Sequence, residues 1–211
     1  MAKFDGVLLD LDGTLWNSIR TILPTWNRVA EKAGIVITEE KIASVMGKGA
    51  EEIAEIFFGG YGTAEDRLKL VLEGFAEECV DLRRYGGDLY PGVDETLRLL
   101  AKEYRLAIIS NCGDGYIESF LEAHGFSDCI TDYEHPGRTG LTKGENIRLV
   151  MERNGIRSAV YIGDTQGDAN AVNAAGLPFV YASYGFGTVN PADCAAVLHS
   201  FGELPDLLAK L

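Results

Sequence analysis

A chain of 211 residues, 46% of them hydrophobic, holds enough apolar mass for one core of ordinary size or a core with a small accessory unit, which excludes the disordered class. Its formal net charge of −13, unrelieved by any clustered Lys/Arg stripe, argues against nucleic acid or an anionic membrane as partner. No apolar run is long enough to span a bilayer, and four scattered cysteines with three histidines carry neither zinc-site spacing nor a disulfide framework, so a reducing cytoplasm is the expected setting.

Met1 is followed by Ala2-Lys3-Phe4-Asp5 and then at once by the apolar run Val7-Leu8-Leu9, so no signal peptide is expected. That run reads as a buried strand of a parallel sheet and ends on Asp10-Leu11-Asp12-Gly13-Thr14. Ile19, Ile22, Leu23, Trp26, Val29, Ala30 and Ala33 recur at helical spacing and stop at Gly34. Ile42, Val45 and Met46, then Ile53, Ile56 and Phe57, mark two shorter helical stretches, separated by Gly47-Lys48-Gly49 and closed by Gly59-Gly60. Leu68, Val71, Leu72, Phe75, Cys79 and Leu82 make one more amphipathic helix, and no strand is expected between residues 18 and 85.

The pattern changes after Gly86-Gly87. A helix over 93–102 precedes a buried strand at Leu106-Ala107-Ile108-Ile109-Ser110. Helix 115–124, a weak strand near Cys129-Ile130, helix 144–154, strand Ala159-Val160-Tyr161-Ile162, helix 168–175 and strand Pro178-Phe179-Val180-Tyr181 follow. Such alternation predicts right-handed βαβ units, hence an α/β protein with a Rossmann-like parallel sheet core. The core is expected from residues 1–17 and 86–211, with the helical stretch 18–85 inserted after the first strand.

Charge at the end of a buried strand needs a reason. Side chains at i and i+2 of a strand point the same way, so Asp10 and Asp12 are expected to address one point. Three further polar clusters stand near later strand ends: Ser110-Asn111, Lys143, and Gly163-Asp164-Thr165-Gln166-Gly167-Asp168. Each alone has a plain structural reading, with Ser110 or Asn111 as a turn former, Lys143 as a solvated charge before a helix, and Asp168 as an N-cap. Together they gather acids, a hydroxyl and an ammonium along one sheet edge, where α/β folds bind ligands. Two unit charges about 4 Å apart repel by about 4 kcal/mol at an effective dielectric near 20, so Asp10, Asp12, Asp164 and Asp168 could not converge unaided. A hard divalent cation such as Mg²⁺ resolves the crowding and prepares the site for a phosphate, with Lys143 and the Ser110 hydroxyl on further phosphoryl oxygens.

These clusters resemble the four ordered motifs of the haloacid dehalogenase superfamily of phosphohydrolases: Asp10-Leu11-Asp12-Gly13-Thr14, Ser110-Asn111, Lys143, and Gly163-Asp164 through Asp168. Leu89-Tyr90-Pro91-Gly92-Val93 and Ala174-Ala175-Gly176-Leu177-Pro178 are similar to segments flanking those motifs in the phosphoglycolate-phosphatase-like branch, and the helical insertion resembles that branch's cap domain. The resemblance implies a nucleophilic Asp10, an acid/base Asp12, and Mg²⁺ held by Asp10, the Asp12 backbone carbonyl, Asp164 and Asp168. It assigns Ser110, Asn111 and Lys143 to the phosphoryl group and makes Lys48, in the cap loop, a specificity candidate beside its reading as a solvated lysine. Asn17 and Gly144 depart from the common pattern, where Asp and Pro are frequent, and Ala50 stands where mutase-like relatives carry arginine.

The implied function is a Mg²⁺-dependent phosphatase acting on a small phosphorylated metabolite through an aspartyl-phosphate. The alternatives are a sugar-phosphate mutase, a pyrophosphatase or a nucleotidase of the same superfamily, and, from another class, a receiver domain phosphorylated on Asp10. Oligomeric state is not addressed by these features.

Overall fold

The computed structural model describes residues 4–211, and Met1–Lys3, on which the expectation of no signal peptide rests, lie outside the described residues. In chain order the elements are β1 (Gly6–Leu9), β2 (Trp16–Asn17), α1 (Ile19–Glu31), α2 (Glu39–Ala43), α3 (Ala50–Phe58), α4 (Ala64–Tyr85), β3 (Asp88–Leu89), α5 (Val93–Leu100), β4 (Arg105–Ile109) and α6 (Tyr116–His124). There follow β5 (Asp132–Glu134), α7 (Pro136–Thr139), α8 (Lys143–Arg153), β6 (Ala159–Gly163), α9 (Gln166–Ala175), β7 (Phe179–Ala182), β8 (Ala196–Leu198) and α10 (Leu204–Leu208).

The sheet has six strands in the order β5-β4-β1-β6-β7-β8, and every neighbouring pair is parallel. Strand alternation splits its side chains between two apolar layers. Val7, Leu9, Leu106, Ile108, Val160 and Ile162 face one layer; Leu8, Ala107, Ile109 and Tyr161 face the other, against Ile147 and Val150 of α8 and Ala169 and Val172 of α9. Both faces are covered, which is why the central strands read as unbroken apolar runs. The consequence for function is positional: β4, β1 and β6 are adjacent, so the chain segments leaving their carboxyl ends start side by side.

Helices α1 to α4 form the inserted cap. The chain enters it through β2 and returns through β3, which pair antiparallel, Trp16 with Leu89 and Asn17 with Asp88. Pro24 lies inside α1 without ending it. The 22-residue α4 opens on a capping box made by Thr63 and Asp66 and carries the cap back to the core, where Ser119 of α6 donates to the Cys79 carbonyl (3.2 Å).

The expected strand near Cys129-Ile130 lies instead at β5, two residues further on. Cys129 and Ile130 both turn back on the Phe126 carbonyl (2.9 and 3.2 Å), and sheet pairing starts only when the Thr131 N–H reaches the Leu106 carbonyl (2.8 Å). β5 is an edge strand whose acids Asp132 and Glu134 pair with Arg153 of α8, so it lacks the apolar run that marks a buried strand. β8 adds a further edge strand beyond those expected; its three residues are too few for a periodic signal. Among the described residues, no helix is long and apolar enough to cross a membrane.

Candidate active site

β1 ends at Leu9, and Asp10 continues its line, its N–H bonded to the Ile162 carbonyl (2.8 Å). The chain then coils, with the Thr14 and Leu15 N–H groups turned back on the Leu11 carbonyl (3.2 and 2.8 Å). β1 therefore ends before either acid, so strand alternation does not set the directions of Asp10 and Asp12. Asp10 is buried against α8, whereas Asp12 faces the cap side.

Lys143 is the first residue of α8, not a loop residue, because Thr142 and Glu145 close a capping box around the helix start. Its ammonium is buried and donates to Asp10 Oδ1 (2.9 Å) and Asp168 Oδ1 (2.5 Å). Burial alone would lower its pKa, but the charges of Asp10 and Asp168 outweigh that and hold it well above the ordinary lysine value. Asp168 does not cap α9. Thr165 is the N-cap, and Asp168 completes the box with Oδ2, accepting from the Thr165 N–H (3.0 Å) and hydroxyl (2.7 Å), which leaves Oδ1 for Lys143.

Asp164 follows β6 and is fully buried. Its Oδ2 accepts from the Phe186 and Gly187 N–H groups (2.7 and 3.4 Å); its Oδ1 is buried with no partner among the described residues. A Cβ on Gly13 would stand 2.1 Å from Asp164 Oδ2, and Gly13 has φ +80, so only glycine lets the turn after Asp12 close on this carboxylate. Carboxylate oxygens of Asp10, Asp164 and Asp168 lie within 4.8 Å of one another. Desolvation first, then the neighbouring acids, push the Asp10 and Asp164 carboxyls far above the usual range. An all-oxygen donor set with one orphaned buried oxygen fits a hard divalent cation. The Asp12 carboxylate stands outside this cluster.

Asp12 Oδ1 accepts from the Ser18 hydroxyl (2.7 Å) and the Tyr116 hydroxyl (2.9 Å). Burial raises its pKa to about 6, with the Ser18 and Tyr116 hydrogen bonds pulling the other way. Ser110 is buried just past the end of β4. Asn111 donates from Nδ2 to the Gly47 carbonyl (2.9 Å), joining the core to the cap loop Gly47-Lys48-Gly49. Lys48 lines the crevice between cap and core, with its ammonium on Glu52 of α3.

The structure therefore brings Asp10, Lys143, Asp164 and Asp168 together, sets Asp12 beside them toward the cap, and puts Asn111 and Lys48 at the cap interface. Ser18, Tyr116 and the Phe186 and Gly187 amides are functional neighbours that sequence reasoning missed. Tyr116 lies 104 residues from Asp12 in sequence and has no periodic signature, but Gly185-Phe186-Gly187 carried a usable sign, since paired glycines mark close backbone approach.

A family model described as haloacid dehalogenase-like hydrolase matches residues 7–182. A phosphoglycolate phosphatase of Rhodospirillum rubrum is 29% identical over 96% of this chain and 90% of its own length. A protein from Bacteroides fragilis, described as a haloacid dehalogenase-like hydrolase, superposes with TM-score 0.81 at 27% identity, covering 96% of this chain and all of its own. A protein from Haemophilus somnus, described as a predicted phosphoglycolate phosphatase, shares the fold with TM-score 0.85 at 22% identity, over 98% of this chain and 99% of its own. With the fold, the acidic cluster and these matches in agreement, the chain belongs to the haloacid dehalogenase-like hydrolases and is a phosphatase of their phosphoglycolate-phosphatase-like branch.

Proposed function

We propose that this phosphatase is Mg²⁺-dependent and hydrolyses a small phosphomonoester, phosphoglycolate-like in size, through an aspartyl-phosphate on Asp10. The observation that carries the reading is the convergence of Asp10, Asp164 and Asp168 around an unpartnered buried oxygen beside the Lys143 ammonium. Asp10, Asp164 and Asp168, with the Asp12 backbone carbonyl, would hold Mg²⁺. When bound, the ion neutralises the carboxylates and the phosphoryl oxygens that approach them.

In this reading an Asp10 carboxylate oxygen attacks phosphorus, and the bond from phosphorus to the ester oxygen breaks as Asp12 gives that oxygen a proton. Asp12, now ionised, takes a proton from water as the water attacks phosphorus, which releases inorganic phosphate and restores Asp10. A pKa of about 6 suits both halves near neutral pH, because neither protonation state is rare. Lys143, Ser110 and Asn111 hold the phosphoryl oxygens. Lys48 contributes from the cap formed by residues 18–85 over the core of 1–17 and 86–211. The four free cysteines suit work in the reducing cytoplasm.

The test is Asp10→Asn. Folded and supplied with Mg²⁺, it is expected to release no phosphate from a chromogenic ester above background. Turnover at the parent's rate would remove Asp10 from the chemistry.

A further inference from the structure

A small cavity of about 40 Å³ lies between cap and core; Asp12 lines it, whereas Asp10, Lys143, Asp164 and Asp168 do not. With the phosphoryl group at Asp10 and the ester oxygen at Asp12, the leaving group extends into this cavity. At 10–15 Å³ of such volume per water-sized group, there is room for roughly three. The walls are mostly apolar, among them Trp26, Met46 and Phe57, and Glu78 of α4 stands within them.

Glu78 is 3% exposed, and its position is built rather than incidental. Gly74 lies one turn earlier on α4, where a Cβ would stand 2.6 Å from the Trp26 ring, so glycine lets that ring lie against the helix. Phe57 and Phe75 pack edge-on against the same ring at 5.0 and 5.9 Å. Held in this way, the Trp26 indole N–H donates to Glu78 Oε2 (2.7 Å). Glu78 Oε1 has no partner among the described residues. With no hydrogen-bond partner among the described residues, Glu78 Oε1 on the wall of the cavity is available to a ligand there. Among the described residues the one cation on the wall, Lys48, is already paired with Glu52, so no free cation is left there to pair with a carboxylate of the leaving group.

Resting on the phosphatase reading above, we propose that Glu78 determines specificity: its Oε1 accepts a hydrogen bond from a hydroxyl or ammonium at the far end of a short leaving group, and carboxylate-bearing leaving groups are disfavoured. The carbon portion of the leaving group lies against Trp26 and Phe57, and the ester oxygen meets Asp12. Glu78 thus acts in binding and leaves the phosphoryl chemistry to the core.

The experiment compares phosphate release, with Mg²⁺, from 2-hydroxyethyl phosphate, 2-aminoethyl phosphate and phosphoglycolate, with p-nitrophenyl phosphate as a control for phosphatase activity itself. The hydroxyl or the amino ester is expected to exceed phosphoglycolate in kcat/KM by about tenfold or more, since a site built around a hydrogen bond discriminates strongly. Preference for the hydroxyl ester or for the amino ester decides which donor the site takes. Glu78→Leu is expected to raise KM for the favoured ester and to leave phosphoglycolate much less affected. Glu78→Gln, which still accepts, is expected to restore the hydroxyl ester more than the amino ester. Preference of the parent for phosphoglycolate would overturn the assignment even if no variant folds. An equal loss on all esters in Glu78→Leu would reduce Glu78 to a structural residue. Absence of turnover on every ester, the chromogenic one included, would remove the phosphatase reading and this assignment with it.

Discussion

Lys143 Nζ sits between two carboxylates that belong to different strand ends, 2.9 Å from Asp10 Oδ1 and 2.5 Å from Asp168 Oδ1. All three groups are buried, so the ammonium is what allows the acids to be there. Replacing Lys143 with Met removes the cation that Asp10 and Asp168 share. Chemical denaturation of the metal-free protein is expected to show a loss of about 3–5 kcal/mol, and turnover is expected to fall by about two orders of magnitude or more even where the variant is folded. A variant as stable as the parent would show that the acids are not charged together in the folded state.

The acidic cluster also fixes how metal and pH interact. Asp10 and Asp164 have folded pKa values raised by burial and then by neighbouring acids, Asp168 acting on Asp10, and Asp10 with Asp168 acting on Asp164, above unfolded values of about 3.9. The folded metal-free protein therefore binds more protons than the unfolded chain between about pH 4 and neutrality, and the slope of stability with pH from these groups is negative. Their contribution is fully present below about pH 4 and is lost as pH rises through their folded values. Mg²⁺ replaces those protons, so it is expected to raise Tm more at about pH 8 than at about pH 5, read by thermal unfolding with Mg²⁺ or with a chelator. Equal shifts at both pH values would separate the metal from these carboxylates. Chelation is also expected to abolish phosphate release, with recovery on adding Mg²⁺ back.

Tyr116 tunes Asp12. Its hydroxyl hydrogen bond lowers the Asp12 pKa, against the dominant effect of burial. Tyr116→Phe removes that donor, so the Asp12 pKa rises and the protonated acid persists to higher pH. The alkaline limb of the pH profile of kcat/KM is expected to move upward in the variant. An unmoved or acid-shifted limb would mean that Asp12 is not the group that protonates the leaving oxygen.

Gly13→Ala tests the close approach that frames Asp164. The backbone at φ +80 disfavours an L residue by about 1–2 kcal/mol, and the new methyl would fall 2.1 Å from Asp164 Oδ2. Relief must come by moving Asp164. The variant is expected to be less stable and to need more Mg²⁺ for half-maximal activity, measured by titrating the metal. Unchanged metal dependence would place Asp164 outside the ion's ligands.

Much of this molecule was legible in its sequence because the informative residues are buried. Val7 to Leu9 and Ala159 to Ile162 are covered on both faces and read plainly as inner strands, and acids placed directly after such runs demanded an explanation. What was not legible has two physical origins. β5 lies at one sheet edge, where pairing on one side only leaves no apolar run, and β8, at the other edge, is only three residues long; Arg153 pairs with Asp132 and Glu134 on β5, a contact no local pattern announces. The partners of Asp12 come from the N-cap of α1 and from α6, across the cap junction, and the Glu78–Trp26 pair is set by how two cap helices pack at Gly74. Such contacts depend on three-dimensional packing, and single-residue properties do not encode them. The alternation argument for Asp10 and Asp12 failed for a related reason, since β1 ends before either residue.

The account stands on a covalent phosphoryl group at Asp10, and that group can be seen directly. The enzyme is quenched during turnover of a phosphomonoester with Mg²⁺ present, reduced with borohydride, which converts an aspartyl-phosphate to homoserine, and digested for peptide mass spectrometry. Homoserine at position 10, absent without substrate, is the predicted result. Steady phosphate release with position 10 unmodified, or modification at Asp12 or Asp164 instead, would contradict it.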